Sequence, residues 1–181
     1  MTRALILIDM QRGIADPALG RRNNPEAEDN IARLLFAWRD ARRPVVHVRH
    51  ISRSPRSVFW PGQEGAEFQD RFQPRADEHV VEKNVPDAFI NTALERWLLV
   101  RDIRKVAIVG VITNNSVEAT ARTSGNLGFD TIVVSDATYT FDKADFNGTL
   151  RTAGEVHAMS LANLHDEYAK VVTTIELLRG N

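Results

Sequence analysis

Val106-Ala107-Ile108-Val109-Gly110-Val111, followed after five residues by Val117-Glu118-Ala119-Thr120-Ala121-Arg122-Thr123-Ser124-Gly125-Asn126-Leu127, decides the fold. The first stretch is continuously apolar, as a strand covered on both faces requires. The second reads as a helix, with Gly125 and Gly128 at or near its end, where glycine is common. A buried strand feeding a helix is half of a βαβ unit, and the rest of the chain repeats it. Upstream, residues 4–8 form another short apolar run. Ile31, Leu34, Leu35, Trp38 and Ala41 fall at helical spacing. Pro44 opens a strand over 45–48, Val80 and Val81 suggest a short strand ending near Lys83, and 93–100 fits a helix. Downstream, a strand over 132–134, a helix over 150–164 and a strand over 171–174 complete the series. Such alternation predicts an α/β three-layer sandwich: a mostly parallel sheet of five or six strands with helices on both faces.

Length and composition set the bounds. With 181 residues, of which 43% are hydrophobic and 26% charged, the chain reads as a single domain, 1–181, able to bury its own core without a staple. A net charge of -1 argues against nucleic-acid or membrane-surface partners, which favour a basic excess. The absence of cysteine excludes disulfides, thiolate metal ligands and a thiol nucleophile. The apolar run before Asp9 is too short for a signal-peptide core or a membrane span, so a cytoplasmic protein is the expectation.

Ligands of open α/β sheets bind beyond the carboxyl ends of the strands. Three places stand there: Asp9, Lys83 and the segment around Ser116. Taken alone, each also has an ordinary reading. Asp9 is equally a turn or cap aspartate, and Lys83 a solvated surface charge. Ser116 is a polar residue of the kind favoured at a helix start. Asn115 and Glu118 have the spacing of a capping box, which would put Ser116 in the first turn, where unpaired N–H groups can face an oxyanion.

Together the places carry more. Leu5-Ile6-Leu7-Ile8-Asp9-Met10-Gln11, Glu82-Lys83-Asn84-Val85-Pro86-Asp87-Ala88-Phe89, Gly110 to Arg122, and Gly128-Phe129-Asp130 with Val133-Val134-Ser135-Asp136-Ala137 follow in order along nearly the whole chain. With these motifs the chain resembles the isochorismatase-like hydrolase superfamily, the cysteine hydrolases related to nicotinamidase. The resemblance implies an Asp–Lys–Cys triad that hydrolyses C–N bonds of small amides and ureido compounds. Asp9 would be the general base and Lys83 its charge-balancing partner, with Ser116 at the usual cysteine position. It also implies a non-proline cis peptide between Val111 and Ile112, aiming the Ile112 and Ser116 N–H groups at the substrate oxyanion.

Serine in place of cysteine is the departure. A hydroxyl ionises far less readily than a thiol and needs a base acting during attack. Weak or absent amidase activity is therefore expected. Three readings stay open: an engineered replacement, a natural slow hydrolase or silent binding protein, and nucleophile-independent hydrolysis of a vinyl ether of the isochorismate type. Smooth entry of Asn114-Asn115-Ser116-Val117-Glu118 into a helix leans towards a natural serine.

Of the histidines, His47 should lie within the second strand and His50 near its end, as hydrogen-bonded or site-lining side chains. Neither a metal nor a cofactor is expected. The Pro-, Gly- and Arg-rich stretch 51–76 reads as a long loop, with Phe59-Trp60-Pro61-Gly62 a lid, pocket wall or subunit contact. Ile14, Trp60, Phe89 and Asn115 are the expected substrate contacts. Arg53 and Arg56 are read as solvated. The expected partners are a small-molecule substrate and further copies of the chain, as a homodimer or homotetramer.

Overall fold

Alternate residues of the first strand face opposite layers, and both layers are filled. The computed structural model describes residues 2–180. Strand β1 (Arg3–Ile8) leads through helix α1 (Ala27–Asp40) to β2 (Val45–His50). A long loop precedes β3 (His79–Lys83), followed by α2 (Leu94–Leu99), β4 (Lys105–Val111), α3 (Glu118–Asn126) and β5 (Asp130–Tyr139). A small hairpin, β6 (Lys143–Ala144) and β7 (Leu150–Arg151), comes before α4 (Ala153–Leu164), β8 (Lys170–Val172) and α5 (Thr174–Arg179). Ala4, Ile6 and Ile8 join a core with Leu94 and Leu98 of α2, Ala121 of α3 and Leu164 of α4. Leu5 and Leu7 join Ile31, Leu34 and Trp38 of α1 and Leu177 of α5 on the other face.

The six strands are parallel, in the order β3-β2-β1-β4-β5-β8. The chain runs outward one way from β1 and the other way from β4. Loops leaving these two neighbours therefore diverge and open a crevice at their carboxyl ends. Ile8 and Gly110 are paired across that boundary. Gly110 has a φ of +110°, and a Cβ there would lie 2.2 Å from the Ile8 carbonyl oxygen. Only glycine fits this close approach.

Several boundaries differ from the sequence reading. β5 spans ten residues because its pairing with β4 slips: Ile108 faces Val133, whereas Gly110 already faces Thr138. The apolar pattern showed only its regular first half. α4 begins at Ala153, where Thr152 and Glu155 form a capping box, and Leu150 belongs to the hairpin. α5, with its own box from Thr173 and Glu176, was too short for the periodicity to show. Among the described residues no helix is long and apolar enough to cross a membrane.

Candidate active site

Asp9 is the first residue beyond β1 and turns into the left-handed region, with φ +52°. Its N–H still donates to the Val48 carbonyl at 2.9 Å, while the reversed backbone takes its side chain out of the strand's alternation. Lys83 ends β3, two strands away. At about 4.8 Å per strand that gap is roughly 10 Å, which a long, extended side chain can bridge. The Lys83 Nζ donates to Asp9 Oδ2 at 2.7 Å and to Ser116 Oγ at 3.2 Å. All three residues are buried: Asp9 is 5% exposed, Lys83 3% and Ser116 6%. Asp9 Oδ1 is buried as well and has no hydrogen-bond partner among the described residues. The structure thus brings the acid, the amine and the hydroxyl into one cluster.

Ser116 does not sit behind the expected capping box. Residues Thr113–Val117 form a wide π-type turn whose N-cap is Ile112, with no side-chain cap, and α3 starts only at Glu118. The turn begins directly at the end of β4, so Asn115 lies inside it rather than before it. Neighbouring elements supply its partners. His157 Nδ1 lies 2.9 Å from Thr113 Oγ1. Ser160 Oγ lies 3.2 Å from the Thr113 carbonyl and 2.6 Å from Glu118 Oε2. Glu118 also accepts from Arg122 at 2.7 Å. His157 and Ser160 escaped the sequence reading because only the fold reveals that α4 turns this polar face inward. The Val111–Ile112 peptide bond is cis.

The cluster opens into a cleft of about 220 Å³. Asp9, His50, Asn115 and Ser116 line its polar side; Ile14, Phe59, Pro86, Val111 and Ile112 form the apolar wall. Two expected contacts are elsewhere. Phe89 is buried in the core, its ring 5.8 Å from that of Phe129. Trp60 does not line the cleft; its N–H closes a turn on the Ser57 carbonyl, and Phe59 supplies the aromatic wall. Gln11, fully buried, fixes this side. Its Nε2 donates to the carbonyls of His50 (2.9 Å) and Ala66 (2.8 Å), and its Oε1 accepts from the His50 N–H at 2.7 Å. The end of β2 is thereby tied to the long loop, and the His50 ring meets Phe59 edge-on, with centroids 6.0 Å apart. Burial and the Lys83 ammonium push the His50 imidazolium below its ordinary range, against the pull of Asp9.

His47 is a packing residue. It is fully buried within β2, and its Nε2 is 2.8 Å from Glu78 Oε2. Among the described residues no group of three or more His, Asp and Glu side chains is disposed to hold a metal ion. A larger hollow, of about 710 Å³, lies near the strands' opposite ends, between Arg3, Lys105 and Lys170.

The Isochorismatase domain profile matches residues 3–176. The chain belongs to the isochorismatase family. It is 42% identical over 176 residues to the uncharacterized isochorismatase family protein YrdC of Bacillus subtilis, covering 97% of this chain and 94% of that protein. A crystal structure from Chromobacterium violaceum, assigned to the same hydrolase family, superposes with a TM-score of 0.96 at 46% identity, covering 98% of this chain and 92% of the other. Nicotinamidase 3 of Arabidopsis thaliana is 30% identical over 98% of this chain and 87% of its own length.

Proposed function

We propose that this isochorismatase-family hydrolase cleaves the C–N bond of a small amide or ureido compound, with Asp9, Lys83 and Ser116 as its working groups. One observation carries the reading. Lys83 Nζ touches both Asp9 Oδ2 and Ser116 Oγ, while Asp9 Oδ1 is left without a partner at the cleft. The choice of bond is supported by the likeness to a nicotinamidase.

In this mechanism Ser116 Oγ attacks the amide carbonyl carbon and its proton passes to Asp9 Oδ1. The Lys83 ammonium stabilises the negative charge growing on Oγ and holds the carboxylate in place. Asp9 then gives the proton to the departing nitrogen as the C–N bond breaks, leaving an ester on Ser116. Water, deprotonated by Asp9, releases the acid and restores the hydroxyl. The N–H groups of Ile112 and Ser116 take the oxyanion. A carboxylate is a weak base towards a serine hydroxyl, so turnover is slow.

The test is ammonia release from a panel of small amides. Ser116→Cys is expected to raise kcat/KM roughly tenfold or more, since a thiol ionises far more readily. Asp9→Asn should reduce both forms to background. Retained activity in Ser116→Ala would instead assign hydrolysis without a protein nucleophile. Ligand-dependent stabilisation with no turnover in any variant would assign a silent binding protein.

A further inference from the structure

The charges around the cleft bear on the rest of the substrate, beyond the bond to be cut. Asp9 is the only acidic or basic side chain lining the cleft other than His50, among the described residues. Its charge is already matched by Lys83 at 2.7 Å. Arg53, read from the sequence as solvated, is exposed, donates to Asn84 Oδ1 at 2.8 Å and does not line the cleft. Two polar side chains, the His50 imidazole and the Asn115 carboxamide, line it with no hydrogen-bond partner among the described residues. The opposite wall is apolar, formed by Ile14, Phe59, Pro86, Val111 and Ile112.

A substrate carboxylate here would meet Asp9 and no unpaired cation, and an unmatched charge is costly to bury. A substrate ammonium would compete with Lys83 for one carboxylate and suffer its repulsion. An uncharged body meets neither cost. The volume is below the roughly 300–1,000 Å³ of pockets for drug-sized ligands.

We propose that the cleft selects small uncharged amides with an apolar or aromatic body, and that His50 and Asn115 read a hydrogen-bonding heteroatom on that body. This rests on the hydrolase reading for the scissile bond, whereas the selectivity itself is a statement about binding. The two are tested separately, on one matched series: 3-(hydroxymethyl)benzamide, neutral; 3-carbamoylbenzoate, anionic; and 3-(aminomethyl)benzamide, cationic. Calorimetry on the unaltered protein at neutral pH reads affinity, and ammonia release reads chemistry.

The neutral compound is expected to bind roughly 10- to 100-fold more tightly than either charged one, the range of a lost charge-assisted partner. Asn115→Lys, at an exposed position of the rim, should close that gap for 3-carbamoylbenzoate or reverse it, as should His50→Arg. His50→Gln, which keeps a neutral hydrogen-bonding group, should preserve the order. Equal or tighter binding of a charged member to the unaltered protein overturns the proposal, and so does failure of all three to bind. The expected order in calorimetry without ammonia release overturns the hydrolase reading and leaves the selectivity standing.

Discussion

Lys83 has no water to fall back on. Its ammonium is held by Asp9 Oδ2 and Ser116 Oγ inside a site where both charged partners are at least nine-tenths buried. Such a pair adds little net stability compared with apolar side chains of the same shape, but breaking it leaves a bare charge behind. Lys83→Met alone is therefore expected to cost about 3 kcal/mol in urea unfolding. The double variant Asp9→Asn, Lys83→Met should recover most of that loss, and equal costs for the single and double variants would refute the coupling. Under the proposed mechanism activity should be lost in both, which separates chemistry from structural cost. The same residues were legible in the chain because strand-end position and motif order are properties of sequence. Trp60 and Phe89 were misplaced for a different reason. Which neighbour in Phe59-Trp60 faces the cleft depends on a loop anchored through Gln11, and Phe89 is captured by Phe129 across the core. Those contacts join distant parts of the chain and leave no local periodicity.

At the level of elements, α4 has an unusual division of labour. Its inward face carries His157 and Ser160, both buried, while Met159 is exposed. The turn bearing Ser116 satisfies them: His157 Nδ1 lies against Thr113 Oγ1, and Ser160 Oγ sits between the Thr113 carbonyl and Glu118 Oε2. Removing the Ser160 hydroxyl takes the donor from Glu118 Oε2 and ends the 3.2 Å contact with the Thr113 carbonyl. Ser160→Ala should cost about 1–2 kcal/mol and speed amide hydrogen exchange across Thr113–Val117 relative to the β1 amides. Unchanged exchange in the turn would show that α4 does not hold it. The sequence identified α4 by its apolar residues but gave its start three residues early, and it read Asn115–Glu118 as a cap. Both errors share a cause. Spacing rules describe a helix as though isolated, whereas here a hairpin takes Leu150 and a wide turn carries the chain from β4 into α3.

Across the whole molecule, one carboxylate ties together three segments far from the cleft. Glu78 accepts from Arg39 of α1 at 2.6 Å, pairs with His47 of β2 at 2.8 Å and accepts from the Arg75 N–H of the long loop at 2.8 Å. Its side chain is only 6% exposed. Burial alone would raise its pKa, yet the Arg39 guanidinium, the Arg75 N–H and His47 together hold it down to about 2. The ordinary value, 4.5, applies to the unfolded chain. The native state therefore binds this proton less readily, so the stabilisation is fully present above about pH 4.5 and is lost as pH falls from there towards 2. His47 acts in the same direction at higher pH. Burial lowers its pKa below 6.5, so its contribution fades as pH drops beneath that value. Glu78→Gln should thus be less stable than the unaltered chain by on the order of 2 kcal/mol at pH 7. The difference should shrink steadily between pH 4.5 and the acid limit. Urea midpoints measured for both proteins across that range decide it: parallel curves would mean that Glu78 holds the loop, α1 and β2 together by shape and neutral hydrogen bonds, with its charge contributing nothing.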